Sequence, residues 1–88
     1  MKHLIGKYVL TFSDGELNFQ GEIVGSDDEC VFVQLYSWLT GHRTRIEAFK
    51  REVILSPRHC KIYATHAEWI DAADAFGRAQ DRRESRIR

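Results

Sequence analysis

A chain of 88 residues, 43% hydrophobic and 30% charged, fits one small domain with a single modest core, burying roughly 60 to 65% of the surface of the unfolded chain. Its apolar runs are only a few residues long and MKHLIGKYVL lacks a long apolar segment before a small-residue cleavage site. Neither a membrane span nor a secretory leader is therefore expected, and a cytoplasmic location is the default. Thirteen basic and thirteen acidic residues cancel, which argues against a dedicated, strongly basic nucleic-acid coat.

Taken in chain order, Tyr8, Leu10 and Phe12 alternate along a first strand that ends in the turn signal Ser13-Asp14-Gly15. In LNFQGEIVG, Leu17, Phe19, Gly21 and Ile23 share one face of a second strand and Asn18, Gln20 and Glu22 the other. Gly21 interrupts the apolar row, where a missing side chain suits a bulge, a bend or a close chain crossing. GSDDE then turns the chain into a third strand, about residues 30 to 39. Val31, Val33, Leu35 and Leu39 point one way along it, toward the interior, and Phe32, Tyr36 and Trp38 the other.

LTGHR, with Gly41 free to take a positive φ, leads into a fourth strand over about 43 to 49. Short strands are expected at Glu52 to Leu55 and Cys60 to Ala64, separated by Ser56-Pro57. The period then changes to that of a helix over about 65 to 77. Thr65 and Glu68 form a capping box, and Trp69, Ile70, Ala73 and Phe76 form an apolar stripe. That stripe needs cover, and the outer aromatic face of the third strand is the expected place. Gly77 marks the end of the domain, leaving 78–88 as a basic, frayed tail. The expected architecture is mainly β: a small five-stranded SH3-like antiparallel barrel with one C-terminal α-helix.

Charge is segregated along this plan. Residues 1–40 carry two lysines against six acids, 41–61 six basic residues against two acids, 62–77 three acids alone, and 78–88 five arginines against two acids. No catalytic arrangement accompanies it. GxSxG, HExxH and a Gly-rich phosphate loop are absent, and Cys60 and the neighbouring His59 point to opposite faces of a strand. Cys30, His42, His59, Cys60 and His66 lack the paired spacing of a metal site, and Asp27-Asp28-Glu29 lacks the alternation of a calcium loop. No enzyme activity, metal or cofactor is expected, and two cysteines in 88 residues fit reduced thiols.

The order GKYVLTFSDG, QGEIVG, VFVQLYSWLTG and then EWIDAADAF resembles small SH3-like barrel proteins of bacterial phages, plasmids and other mobile elements. The resemblance covers most of the chain and implies a bacterial accessory protein. FQGEIVG, Phe19 to Gly25, is also similar to a strand of the plasmid-borne type II dihydrofolate reductases, whose pore uses a VQIY motif. Here Val33-Gln34-Leu35-Tyr36 comes one strand too early for that order, so Gln34 and Tyr36 do not inherit the pore role.

Function is therefore sought on surfaces. The leading expectation is a non-enzymatic protein-interaction module, an accessory or modulator protein of a mobile element, binding its partner through Tyr36, Trp38, His42, Arg43, Arg45, Lys50 and Arg51. The alternative is a nucleic-acid-binding protein that uses the basic face of strands 3 and 4 with the Arg-rich tail. A homodimer seam over the aromatic face is a third use of the same surface, and no membrane partner is expected.

Overall fold

The computed structural model describes the backbone of residues 2–87 and the side chains of 3–77. After a short 3-10 turn at Lys2–Leu4, five strands follow: β1 Tyr8–Ser13, β2 Glu16–Ser26, β3 Cys30–Tyr36, β4 Arg43–Lys50 and β5 Cys60–Tyr63. A one-turn helix α1, Arg51–Ile54, separates β4 from β5, and α2, His66–Ile87, closes the chain. All neighbouring strands are antiparallel, in the order β4-β3-β2-β1-β5.

The first hairpin turns as its sequence dictates. Asp14 and Gly15 both have positive φ, 53° and 78°, the pairing a two-residue turn requires if the flanking strands are to keep their right-handed twist. Inside the hairpin the register slips between Leu10 and Phe12, so Leu10 faces Gln20 while Phe12 faces Leu17. This bulge corrects the expected face of Leu17: it lies on the side of Phe12, opposite Phe19. Thr11 stabilises the slip, its Oγ1 accepting the Phe19 N–H at 2.9 Å and donating to the Phe19 carbonyl at 3.3 Å. That hydrogen bonding explains a threonine only 4% exposed.

One face of the sheet holds the core. Val9, Ile23, Val31 and Val33 are fully buried there with Leu35, Leu4, Ile54 and Cys60, as the alternation along the strands requires. Leu39 does not join them. It is 96% exposed, because β3 ends at Tyr36 and the Ser37 hydroxyl accepts the N–H groups of Leu39 and Thr40, turning the chain.

The segment Glu52 to Leu55, expected as a strand, lies largely in α1. Its short apolar run fits a helical turn as well as a strand, and Ile54 uses that turn to reach the core between β3, β4 and β5. The detour carries the chain across to β1, where β5 pairs, so β4 and β5 remain the two edges of the sheet. The described residues form an open five-stranded antiparallel sheet rather than a ring of strands closed by hydrogen bonds.

The second face is covered by α2, which packs on β1, β2 and β5. Its N-terminus is capped as expected, with Thr65 Oγ1 accepting the Glu68 N–H at 3.2 Å. The backbone helix passes Gly77 and continues to Ile87; a single glycine in a helix interior costs about 1 kcal/mol and does not terminate it among helix formers such as Arg, Ala and Gln. The side chains of the basic tail, 78–88, lie outside the described residues. No helix among the described residues is long and apolar enough to cross a membrane.

The cover also differs from expectation. Tyr8, Leu10 and Phe12 present an aromatic and aliphatic row on this face of β1, and α2 lies over it, with Phe76 edge-on to Phe12 at 5.2 Å. Among the described residues, Tyr36 is the member of the β3 aromatic set that meets an aromatic ring of α2, that of Trp69.

Candidate functional site

A groove of about 490 Å³ opens between α2 and the turn that follows β3. The turn is tied to itself. Ser37 N–H donates to the His42 carbonyl and Gly41 N–H to the Ser37 carbonyl, both at 2.9 Å, while Thr40 Oγ1 accepts the His42 N–H at 3.2 Å. Gly41 has φ 74°, a conformation that strains residues with a side chain.

Trp38 projects from this turn and is 45% exposed, yet its indole N–H donates to the Asn18 carbonyl at 2.9 Å. A large aromatic surface is thus held at the rim in one orientation. Beneath it, the buried Gln20 side chain donates from Nε2 to the Ser37 carbonyl at 3.3 Å and fastens the turn to β2.

The opposite wall comes from α2. Trp69 is only 5% exposed and stacks on Tyr8, with centroids 5.1 Å and planes 13° apart, while His66 meets both rings edge-on. Tyr36 approaches Trp69 to 5.6 Å and donates its hydroxyl to Glu22 at 3.4 Å. Burial, then the charges of Glu22 and Tyr36, push the Tyr8 phenol above its ordinary pKa of 10.0, so it stays neutral at physiological pH.

Ile70, Ala73 and Asp74 complete this wall, and Ile70 leaves 39% of its surface exposed. Among the described residues lining the groove, Asp74 is the only Asp, Glu, Lys or Arg.

The residues marked by sequence separate into different places. Tyr36 is half-buried beneath Trp69, Trp38 stands at the groove rim, and His42 and Arg43 are exposed where the turn enters β4. Arg45 does not contribute to a basic outer face of strands 3 and 4. Its guanidinium lies 5.8 Å over Phe19, on the core side of the sheet, and its Nε pairs with Glu47 at 2.8 Å.

Lys50 and Arg51 lie at the far end of β4, roughly 20 Å away at about 3.3 Å per residue. There Arg51 donates to the Asp28 carbonyl at 3.0 Å, beside Glu29 and Glu52 around a shallow pocket of about 390 Å³. The expected basic residues are thus interleaved with acids and form no continuous track across the described residues.

Gln20, His66, Ile70 and Asp74 belong to the groove and escaped the sequence reading. The signal was present in the helix: residues one apart differ by about 100° around the axis, so Trp69 and Ile70 cannot both face the same strand.

The other chemically suggestive groups have structural uses. Asp27 accepts the N–H groups of Cys30 at 2.7 Å and Glu29 at 2.8 Å, so the head of the acidic run builds its turn. Burial pushes the Cys60 thiol up to about 12, keeping it protonated, while the adjacent His59 is exposed. Among the described residues no three His, Cys, Asp or Glu side chains come together to hold a metal ion.

Comparison with family models, curated proteins and solved structures finds no match for the chain.

Proposed function

We propose that this chain is a non-enzymatic protein-interaction module whose groove between the 37–42 turn and α2 takes a short apolar segment of a partner protein, flanked by a lysine or arginine. The observation that carries this reading is Trp38: nearly half exposed, it is held by its hydrogen bond to Asn18 and by a turn bonded to itself. An aromatic already fixed in orientation loses little entropy when a partner packs on it, which is why such residues dominate binding energies. Ile70 and Ala73 supply the apolar wall, Gln20, Ser37 and His66 offer hydrogen bonds, and Asp74 sets the sign of the partner's charge.

The same charge disfavours a nucleic acid in this groove. Phosphates would face Asp74, with Asp71 and Glu68 on the same helix, while Arg45 and Arg51 already have acidic neighbours. The finer fold reading is an SH3-like, partly open barrel, supported by the β4-β3-β2-β1-β5 order, the eleven-residue β2 shared along the sheet, and α1 between β4 and β5. A cytoplasmic accessory role in a bacterial mobile element rests on the sequence resemblance and on two unpaired cysteines.

Selection of a random peptide display library on the whole chain tests the function, followed by titration of the enriched peptides. Enriched sequences pairing an apolar residue with Lys or Arg are expected, and Trp38→Ala and Asp74→Lys should each weaken them at least about tenfold, or ~1.4 kcal/mol. The reading fails if peptide binding ignores both variants. It also fails if labelled single- or double-stranded oligonucleotides bind instead, with an affinity that falls steeply between low and moderate salt.

A further inference from the structure

We propose that the groove reads an arginine: its occupant is an extended segment in which an apolar side chain and an arginine stand two residues apart, the guanidinium lying flat on Trp38 and paired with Asp74. This deepens the interaction-module reading and rests on it.

The spacing comes from α2. The wall residues His66, Trp69, Ile70, Ala73, Asp74 and Gly77 recur at intervals of three and one, a single stripe of the helix about 16 Å long at ~1.5 Å per residue. An extended chain covers that length with about five residues at ~3.3 Å each. Ile70 and Asp74 lie four residues apart, about 6 Å along the helix axis. Alternate side chains of an extended segment stand about 6.6 Å apart on one face, close to the same interval. An apolar side chain seated on Ile70 and Ala73 therefore sets the second residue along beside Asp74, and the residue between them points out of the groove.

The chemistry of the walls favours arginine over lysine. Trp38 presents a flat indole held in place by its bond to the Asn18 carbonyl. A planar guanidinium stacks on such a face and sheds water readily, whereas an ammonium is a compact, strongly hydrated point charge. The acceptors of Ser37 are already in use: its carbonyl takes Gln20 Nε2 and the Gly41 N–H, and its hydroxyl the N–H groups of Leu39 and Thr40. The Asp74 carboxylate is thus the principal acceptor offered to an occupant, and two carboxylate oxygens match the fork of a guanidinium.

The chain builds the same arrangement once for itself. Arg45 lies 5.8 Å over the Phe19 ring while its Nε pairs with Glu47 at 2.8 Å, so one guanidinium serves a ring and a carboxylate together. In the groove the ring and the carboxylate are present and the guanidinium comes from the partner.

Titration of the full chain with short capped peptides, followed by NMR up to about 10 mM peptide, tests the inference. The probes are Gly-Ser-Leu-Ser-Arg-Ser-Gly and its reverse, each with Lys or citrulline in place of Arg, and versions with Leu and Arg adjacent. One of the two directions is expected to bind at least about tenfold more tightly than its lysine, citrulline and adjacent counterparts. These comparisons use wild-type protein throughout, so they do not depend on how any variant folds. Trp38→Leu keeps apolar area without a ring and should shrink the preference for Arg over Lys to within about threefold; Asp74→Asn should do the same to the preference for Arg over citrulline.

The inference is overturned if lysine, citrulline or adjacent-residue peptides bind wild type as tightly as the arginine ones, if none of the set binds, or if both variants leave the preferences intact. Arginine and lysine peptides that bind alike, and that Trp38→Ala weakens alike, would remove the arginine and leave the interaction module standing. Failure of the module itself is read from the library selection, in binding that ignores both Trp38→Ala and Asp74→Lys.

Discussion

Trp69 lies on Tyr8 like one plate on another, their centroids 5.1 Å and planes 13° apart, and this contact seats α2 on the sheet. Trp69 also meets Tyr36 and His66, so one side chain joins β1, β3 and the first turn of the helix. Truncating a buried aromatic of this size costs about 3 to 5 kcal/mol. Trp69→Ala is expected to lose that much in urea unfolding, Trp69→Phe distinctly less, and amides of α2 should exchange before those of β2 and β3. An unchanged midpoint for Trp69→Ala would show that the helix is seated by other contacts.

That contact also marks the limit of the sequence. Period-two alternation revealed which residues of β1 and β3 share a face, the Asp14-Gly15 turn and Thr65 cap marked where elements begin and end, and Val31, Val33 and Leu35 were legible as core. Periodicity does not say which strand lies beneath a helix. The aromatic row of β3 and the row Tyr8, Leu10, Phe12 are equally apolar, and the choice between them depends on where β5 delivers the chain to α2. The bulge that turns Leu17 over depends on the Thr11 hydroxyl accepting the Phe19 N–H, which has no fixed sequence signature. In the groove Trp38 was visible as an aromatic near a turn, whereas Gln20, Ile70 and Asp74 are brought beside it only by tertiary packing.

Gly21 is a position where the chain has no room for a methyl group. A Cβ there would fall on the Gln34 carbonyl oxygen and 2.7 Å from Val33 Cγ1, so backbone as well as side chain must yield. Overpacking of this kind costs typically about 1 to 3 kcal/mol, and rigid β3 backbone places Gly21→Ala toward the upper end. Gly77→Ala is the control, since nothing lies within 4 Å of its added Cβ and helix propensity improves. Thermal unfolding should separate the two in opposite directions; equal midpoints would mean that β2 and β3 part easily at Gly21.

The two cysteines should differ sharply toward a thiol reagent. Cys60 is 4% exposed and its pKa is raised from 9.0 to about 12 by burial, whereas Cys30 is partly exposed at the start of β3. Because the thiolate is the reactive form, native protein at mildly alkaline pH should titrate one thiol quickly and the second only on unfolding. The linkage has a definite sign. The unfolded chain loses the Cys60 proton near 9.0 and the folded chain near 12, so this contribution to stability is complete below 9.0 and falls across that window. Two equally fast thiols in native protein would contradict the burial of Cys60.

The turn between β2 and β3 carries the opposite pH dependence. Hydrogen bonds from the backbone N–H of Cys30, then of Glu29, hold the Asp27 carboxyl below its ordinary pKa of 3.8, with a smaller contribution from the charge of Arg51. On acidification the unfolded chain takes up this proton first. The contribution is therefore present above 3.8 and is lost as pH falls through the lower folded-state value. Asp27→Asn keeps an acceptor oxygen for both N–H groups and removes the titration, so it separates charge from hydrogen bonding. Urea midpoints followed from about pH 5 to about pH 2 should fall more steeply for wild type than for Asp27→Asn, because only the wild type gives up a charged acceptor in that window. Parallel curves would mean that the two N–H groups are served equally well by a protonated carboxyl, and that the turn, not its charge, fixes the start of β3.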